Sequence, residues 1–435
     1  MLRCLYCVVT VALLVVSSLN DCAAQSRRTG ITQNAKKASE PDSVSPRDVR
    51  SRNFLLHTDL NDSDAQELLE RLETMLKLIS RYWGQPNRKV IECYVVKDLA
   101  NWPAGSIPEP NGLASIQRGA GVTKTVTTAT STGRILAATS VVFAVADRGT
   151  PQHEAVHAYC GQNFGRTGPL WYSEGMAEMG NYWVEDDPHV NCPPYIVDYI
   201  HSSEPKSLND IVNSNEQTGD SWQNYAWRWA LCHLLANNPN YRDRFRPLGL
   251  ALLTGRRASF EQVYGSMARE ISFEYLFFLE HFDVGYRADL VAWDWKTRFR
   301  APRGATAVSA KIAARAGWQP TRCLVRKDTE YEFSGAGQWQ TDDESGLCDA
   351  DGHPNGSGQL VGAVFDTDAY ELSEPFELGV FGKLTAPRDG QLFVRCQEDW
   401  HRIDDDNAGT IDFRIKFADR GQPLSDPREA TIQSR

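Results

Sequence analysis

Long apolar runs are missing from this sequence. Beyond its N-terminal segment no stretch reaches the roughly 18 consecutive apolar residues that a membrane-spanning helix needs. A positive balance is missing too: the formal net charge is −10, which argues against nucleic acid or an anionic membrane surface as partner. Cysteine pairs at metal-cluster spacing are absent from the body of the chain. Of its 10 Cys, Cys4, Cys7 and Cys22 lie near the N-terminus, and no C-x-x-C pair occurs among Cys93, Cys160, Cys192, Cys232, Cys323, Cys348 and Cys396. That excludes a thiolate zinc cluster, and an odd number of thiols outside the cell leaves one free or intermolecular. No pair of carboxylates stands out at a spacing that would suggest a glycosidase.

What is present begins with a leader pattern. Arg3, the apolar run from Val8 to Val16 and the small-residue site Cys22-Ala23-Ala24 predict a signal peptide over 1–24, and hence a secreted chain, extracellular or periplasmic. Residues 25–49 are polar, with hardly a large apolar side chain, and read as a disordered spacer. From 50 to 149 the pattern is strand, helix, strand, loop and strands. Its parts are NFLLHT (Asn53 to Thr58), apolar residues at helical spacing from Leu68 to Ile79, KVIECYVV (Lys89 to Val96), a Pro/Gly-rich loop from Trp102 to Gly112, and Thr/Val-rich runs around Val122–Thr128 and Ile135–Val145. A sheet placed there would offer an extended substrate an edge to pair with.

The stretch that follows, TPQHEAVHAYCGQNFGRTGPLWYSEGMAEM (Thr150 to Met179), carries the chemistry. Thr150 as N-cap and Pro151 as first helical residue open a helix. His153 and His157, at i and i+4, share one face of it, about 6 Å apart at Cβ. Two imidazoles so placed suit one metal ion, with Glu154 beside them as general base. The bland alternative is an amphipathic helix with half-buried, hydrogen-bonded histidines. SEGMAE weighs against it, since a zinc site needs a third ligand and Glu174 and Glu178, again four residues apart, could both face the first helix. Cys160 reads as core. Residues 150–301 continue as helices. In NYAWRWALCHLLANN, Trp227, Leu231, Leu234 and Leu235 read as core, and Tyr225 is a candidate donor to an oxyanion. After Pro302-Arg303-Gly304 the pattern changes to short strands separated by glycines, which predicts an antiparallel β-sandwich over 320–420 and a polar tail over 421–435.

HEAVH and the Trp171–Glu178 run resemble the gluzincin peptidases, the thermolysin and aminopeptidase N group, and their small peptidase MA-like relatives. The Tyr-Ala-x-x-Trp-Ala helix looks like theirs as well. The resemblance implies zinc held by His153, His157 and Glu174 (Glu178 in reserve), a water activated by Glu154, and an α+β fold with a small sheet and helices. No counterpart of an aminopeptidase N-terminus-binding motif is visible. From Arg322 to Phe417, GAGQW, the DADGHPNG loop, GQLVGAVF, FELGVFGKLTAPRDGQLFVRC and DDDNAGTIDFRI are similar to small calcium-dependent galactose-binding bacterial lectins of the PA-I-like, LecA type. That similarity implies a calcium ion held by Asp399, the Ile403 carbonyl, Asp406, Asn407 and a carbonyl near Asp342, oxygen ligands of the kind calcium takes. His353 corresponds to a sugar-contacting His-Pro, although Asn355-Gly356-Ser357 departs from the lectin pattern. The bland reading of this region is an acidic solvated loop on an ordinary sandwich.

The expectation from the whole chain is a multidomain protein, an α+β gluzincin-like metallopeptidase followed by an antiparallel β-sandwich. It would be a secreted zinc hydrolase acting on protein or glycoprotein, with a domain for galactose-type sugar. The rival expectation is an inactive extracellular carbohydrate- or surface-binding protein on the same scaffold.

Overall fold

A computed structural model describes residues 45–132, 135–213, 222–342, 344 and 346–428. The expected signal peptide, most of the expected spacer and the end of the tail lie outside the described residues. The molecule is a multidomain α+β protein in two compact units. The first holds the described residues up to Glu185 together with Leu208–Cys232 and Arg244–Val263; the second holds Asp186–Ser207, His233–Asp243 and Tyr264 onward. Among the described residues no helix is long and apolar enough to cross a membrane.

In chain order the first elements are β1 (Arg47–Arg50), β2 (Phe54–Thr58), α1 (Asp62–Trp83), β3 (Ile91–Val96), α2 (Pro110–Gln117), β4 (Gly121–Ala129) and β5 (Ile135–Val145). They build one sheet in the order β1-β2-β3-β5-β4. β2, β3 and β5 run parallel, and the outer strands β1 and β4 run antiparallel to their neighbours. A parallel pair needs a crossover, and α1 supplies it between β2 and β3. Asn61 caps that helix by accepting from the Asp64 N–H, and Gly84 ends it at φ 68°. Two details depart from the sequence reading. Arg47–Arg50, which straddles the predicted end of the spacer, is a strand because β2 gives it a ladder. The expected loop from Trp102 to Gly112 runs into α2, with Pro110 at its first position.

Helices α3 (Thr150–Phe164) and α4 (Leu170–Tyr182) come next, then α5 (Pro194–His201), α6 (Leu208–Val212), α7 (Trp222–Asn237), α8 (Arg242–Leu253), α9 (Phe260–Tyr264) and α10 (Ala268–Glu280). α3 lies against β4, β5, α1 and α4. Every residue from Thr150 to Gly161 is buried, so α3 is enclosed on all sides. Its cap is not Thr150. Asp147 accepts from the Gly149 and Thr150 N–H groups and from the Thr150 hydroxyl, because a carboxylate two to three residues upstream can satisfy several orphan donors at once.

In the second unit two antiparallel sheets share one core. The strands are β6 (Val308–Ala313), β7 (Gln319–Val325), β8 (Glu330–Gln340), β9 (Leu360–Asp366), β10 (Glu371–Leu372), β11 (Phe376–Glu377), β12 (Phe381–Thr385), β13 (Gly390–Cys396) and β14 (Ala408–Phe417). One sheet runs β10-β9-β13-β7 with β11 also on β9; the other runs β12-β8-β14-β6. Val325, Val364 and Val394 of the first sheet meet Ile312, Phe333 and Ile411 of the second in a common apolar cluster. The Gly-punctuated runs that read as strands in the sequence, YEFSGAGQW, GQLVGAVF, PFELGVFGKLTAP, GQLFVRC and GTIDFRIKF, fall in β8, β9, β11–β12, β13 and β14. β6 and β7 were not among them. The tail is tied down where it is described: the Leu424 N–H donates to Glu332, and Arg428 pairs with Asp351 at 2.8 Å.

Candidate metal centre

The site in the first unit is built by two helices that each present side chains four residues apart. α3 carries His153 and His157, and α4 carries Glu174 and Glu178. A side chain on Gly175 would crowd the pair: its Cβ would stand 2.7 Å from the Arg228 carbonyl oxygen of α7 and closer still to Cys232 Sγ. The glycine beside Glu174 therefore lets α4 and α7 approach, and α7 brings the Tyr225 ring to 5.3 Å from the His153 ring.

Three ligand atoms converge. His153 Nε2 lies 3.1 Å from His157 Nε2 and 3.1 Å from Glu174 Oε2, and His157 Nε2 lies 3.5 Å from the same oxygen. All three residues are buried, at 3 %, 3 % and 0 % exposure. Ligands bound tetrahedrally at about 2.0–2.1 Å stand about 3.3 Å from one another. The triangle fits that separation. One proton can bridge two of these lone pairs but not three, whereas a single divalent cation satisfies all of them. The donor set, two imidazoles and a carboxylate, is one that zinc accepts.

The far ring nitrogens are also held. Glu178 Oε1 lies 3.0 Å from His153 Nδ1, and Ser173 Oγ lies 3.2 Å from His157 Nδ1. Glu178 thus stands behind His153, on the opposite side of the ring from the convergence point. Contacts of this sort fix which nitrogen is free to ligate and how the ring is turned. Ser173 has no signal in the sequence beyond its place next to Glu174.

Glu154 is fully buried, and one of its oxygens is engaged: the Thr123 hydroxyl of β4 lies 2.8 Å from Oε2 and 2.7 Å from the Glu154 carbonyl. Its other oxygen, Oε1, is buried without a hydrogen-bond partner. An unpartnered buried carboxylate oxygen is costly in a folded protein and calls for an explanation. Thr123 was not foreseen, because nothing in a Thr-rich strand singles out one hydroxyl.

The titratable groups are pushed apart. Burial raises the Glu154 carboxyl above its ordinary range, against the pull of His157, His153 and the Thr123 bond. Burial works the same way on Glu174, but the His157 and His153 imidazoles outweigh it and hold that carboxyl well below the usual range. Burial alone would depress His153, yet its bonds to Glu174 and Glu178 carry it well above the ordinary imidazole value. Two carboxylates on adjacent helices thereby acquire opposite proton affinities.

In the second unit two of the residues expected at a calcium site, Asp406 and Asn407, stand side by side. One end of the Asn407 side-chain amide stands 3.1 Å from Asp406 Oδ1, 3.2 Å from the Arg402 carbonyl and 3.0 Å from the Thr341 carbonyl. As an NH2 group it shares its two hydrogens among the three; as a carbonyl it would complete a ring of four oxygens. Asp342 pairs with Arg402 at 3.7 Å, and its carbonyl accepts from Gln340. Ile403 is buried, and the Asp399 N–H is taken by Glu398. His353 sits in the turn before β9 with Nε2 buried and unpartnered, and no contact among the described residues ties it to Asp406 or Asn407. All seven cysteines from Cys93 onward are buried, and no disulfide joins them.

No family model matches this chain, and neither does any curated protein. Among solved structures it is similar to the N-terminal domain of EclA, described as a PllA-like lectin, at 15 % identity and a TM-score of 0.21, over 25 % of this chain and 94 % of that one. It is also similar to a functionally unknown conserved protein mutant from Bacillus anthracis str. Ames at 14 % identity and a TM-score of 0.15, over 29 % of this chain and 26 % of that one. Likenesses this slight leave fold and site to be argued from the chain's own residues.

Proposed function

We propose that this chain is a secreted zinc-dependent hydrolase of peptide bonds, with a gluzincin-like catalytic unit and a sugar-binding β-sandwich unit that directs it to glycosylated protein. The observation that carries the reading is the convergence of His153, His157 and Glu174 beside the unpartnered Oε1 of Glu154. His153, His157 and Glu174 would hold the ion. The chemistry such an ion supplies when bound is Lewis acidity toward a carbonyl oxygen and a water molecule.

The chain's own groups do the rest. Glu154 takes the proton of the attacking water at Oε1 and returns it to the leaving amine, a role suited by a carboxyl whose proton affinity burial has raised. Thr123 holds the other oxygen and so fixes the orientation of the carboxylate. Glu178 and Ser173 keep the two imidazoles turned toward the convergence point. Tyr225, packed against His153, donates to the oxyanion. β4 borders the site through Thr123, and its outer edge has no partner strand among the described residues, so an extended substrate can add to it by main-chain hydrogen bonds. Asp406, Asn407 and the neighbouring carbonyls offer oxygens for calcium.

The test is metal analysis of the purified full chain coupled to a peptide-library digest. Stoichiometric zinc, cleavage lost on chelation and cleavage regained on zinc addition are expected. Calcium-dependent retention on galactose resin with no cleavage of any peptide would instead establish the rival reading of a binding protein.

A further inference from the structure

The second unit contains a groove of about 700 Å³ away from the Asp406–Asn407 oxygens, formed by the outer face of β6 and β14, by β7 with the turn before it, and by the segment 290–297. Ser309, Lys311, Asp412 and Arg414 are the exposed alternate residues of the β6–β14 pair, and Lys311 stands opposite Asp412 and Ser309 opposite Arg414 in the ladder. Arg322 of β7 adds a third cation. The side chains of Lys311, Arg322 and Arg414 make no hydrogen bond or ion pair with the described residues. Three cations against two carboxylates, Asp412 and the Thr297-bound Asp294, leave the groove net positive on a chain of net charge −10.

Two features mark the groove as built. Arg322 holds a left-handed backbone at φ 66°, a conformation that costs a non-glycine residue free energy and that collects at functional sites. Its wall is also rigid. Buried Glu274 accepts from the Trp293 N–H at 3.1 Å, Trp295 Nε1 at 2.7 Å and the Tyr241 hydroxyl at 2.6 Å, and Asp294 binds Thr297 through both backbone and hydroxyl. A wall fixed in advance loses little entropy on binding. The volume lies in the range of small-ligand sites.

We infer that this groove binds an acidic oligosaccharide, whose carboxylates meet Lys311, Arg322 and Arg414 and whose hydroxyls meet Asp412 and Ser309. The carboxylate that is not already taken by Thr297 selects the class. Asp412 amid the cations repels a uniformly anionic partner, but it accepts hydrogen bonds from the hydroxyls that an acidic sugar carries beside its charges. The inference rests on neither the zinc nor the calcium reading.

The experiment is calorimetric titration of the full chain with a short oligogalacturonate in excess chelator, against a neutral oligogalactose and an oligoglutamate peptide. Binding of the oligogalacturonate alone is expected, weakening with added salt. Arg322→Ala and Arg414→Ala should each lower affinity about tenfold, the worth of one hydrogen bond to a charged group. Arg414→Lys should restore part of the loss, and unchanged unfolding midpoints would show the folds intact. Absence of binding, affinity indifferent to both arginines, or equal binding of oligoglutamate would each overturn the assignment.

Discussion

The two candidate ion sites of this molecule are made in opposite ways. In the first unit the donors are side chains on two packed helices, all buried, with both nitrogens of each imidazole held. In the second unit they are mainly a carboxylate, an amide and main-chain carbonyls drawn from a turn and a strand end, with exposed neighbours. The first can be satisfied by a cation in one way only. The second is already satisfied when Asn407 turns its NH2 group inward. Rigid, soft-nitrogen sites should retain their ion through purification, and loop-borne oxygen sites should exchange theirs.

The sharpest break of that comparison is Glu154→Gln. It should lower peptide turnover by about 10²–10⁴-fold, the usual share of a general base, while zinc content stays stoichiometric. Retained turnover would sink the assigned role. Next in size is the contrast between the two glutamates of α4. Glu174→Ala should abolish zinc retention in dialysed protein, whereas Glu178→Ala should weaken zinc about 10–100-fold, as loss of an outer partner does. Equal losses in the two variants would mean that both carboxylates ligate.

In the second unit, calcium at a hundredfold excess over its dissociation constant should add about 2.7 kcal/mol of stability, read as a raised unfolding midpoint. Asp406→Ala should erase that increment and leave zinc content alone. The smallest effect concerns acid. Asp59 collects the Lys97 and Asp98 N–H groups and the Asn101 amide, and these bonds hold its carboxyl below the ordinary value despite burial. Its contribution is therefore complete above about pH 4, the unfolded value, and fades as pH falls through the folded one. Glu274 is deeper, and burial raises its carboxyl despite its donors, so its contribution is present below the unfolded value and fades as pH rises. Between pH 6 and 3, the midpoint difference from wild type should shrink for Asp59→Asn and grow for Glu274→Gln.

Much of the first site was legible because its residues are close in sequence and obey helical spacing. His153, Glu154, His157 and Glu174 announce themselves in that way. What was not legible are partners that only tertiary structure supplies. Thr123 lies on a strand of similar threonines, and Glu178, a reserve ligand in the sequence reading, takes its place behind His153 only through the packing of α4 on α3. The strands of the β unit were legible where apolar alternation is strong, as in β9 and β13. β6 and β7 were missed because their apolar pattern is weak: Ser and Ala fill much of β6, and Pro320 and Arg322 fall within β7. Arg47–Arg50 escaped for a similar reason, since RDVR has no pattern of its own and borrows its conformation from β2.

The open edge of β4 has one more consequence. A row of unpaired backbone groups, long and bearing only Lys124 as a charge, does not distinguish a substrate from a second copy of the chain. The exposed Val126 and Leu136 on the same hairpin add apolar area to any such encounter. A strand edge that would admit an extended peptide would thus also limit how concentrated the protein can become before neighbouring molecules compete for it.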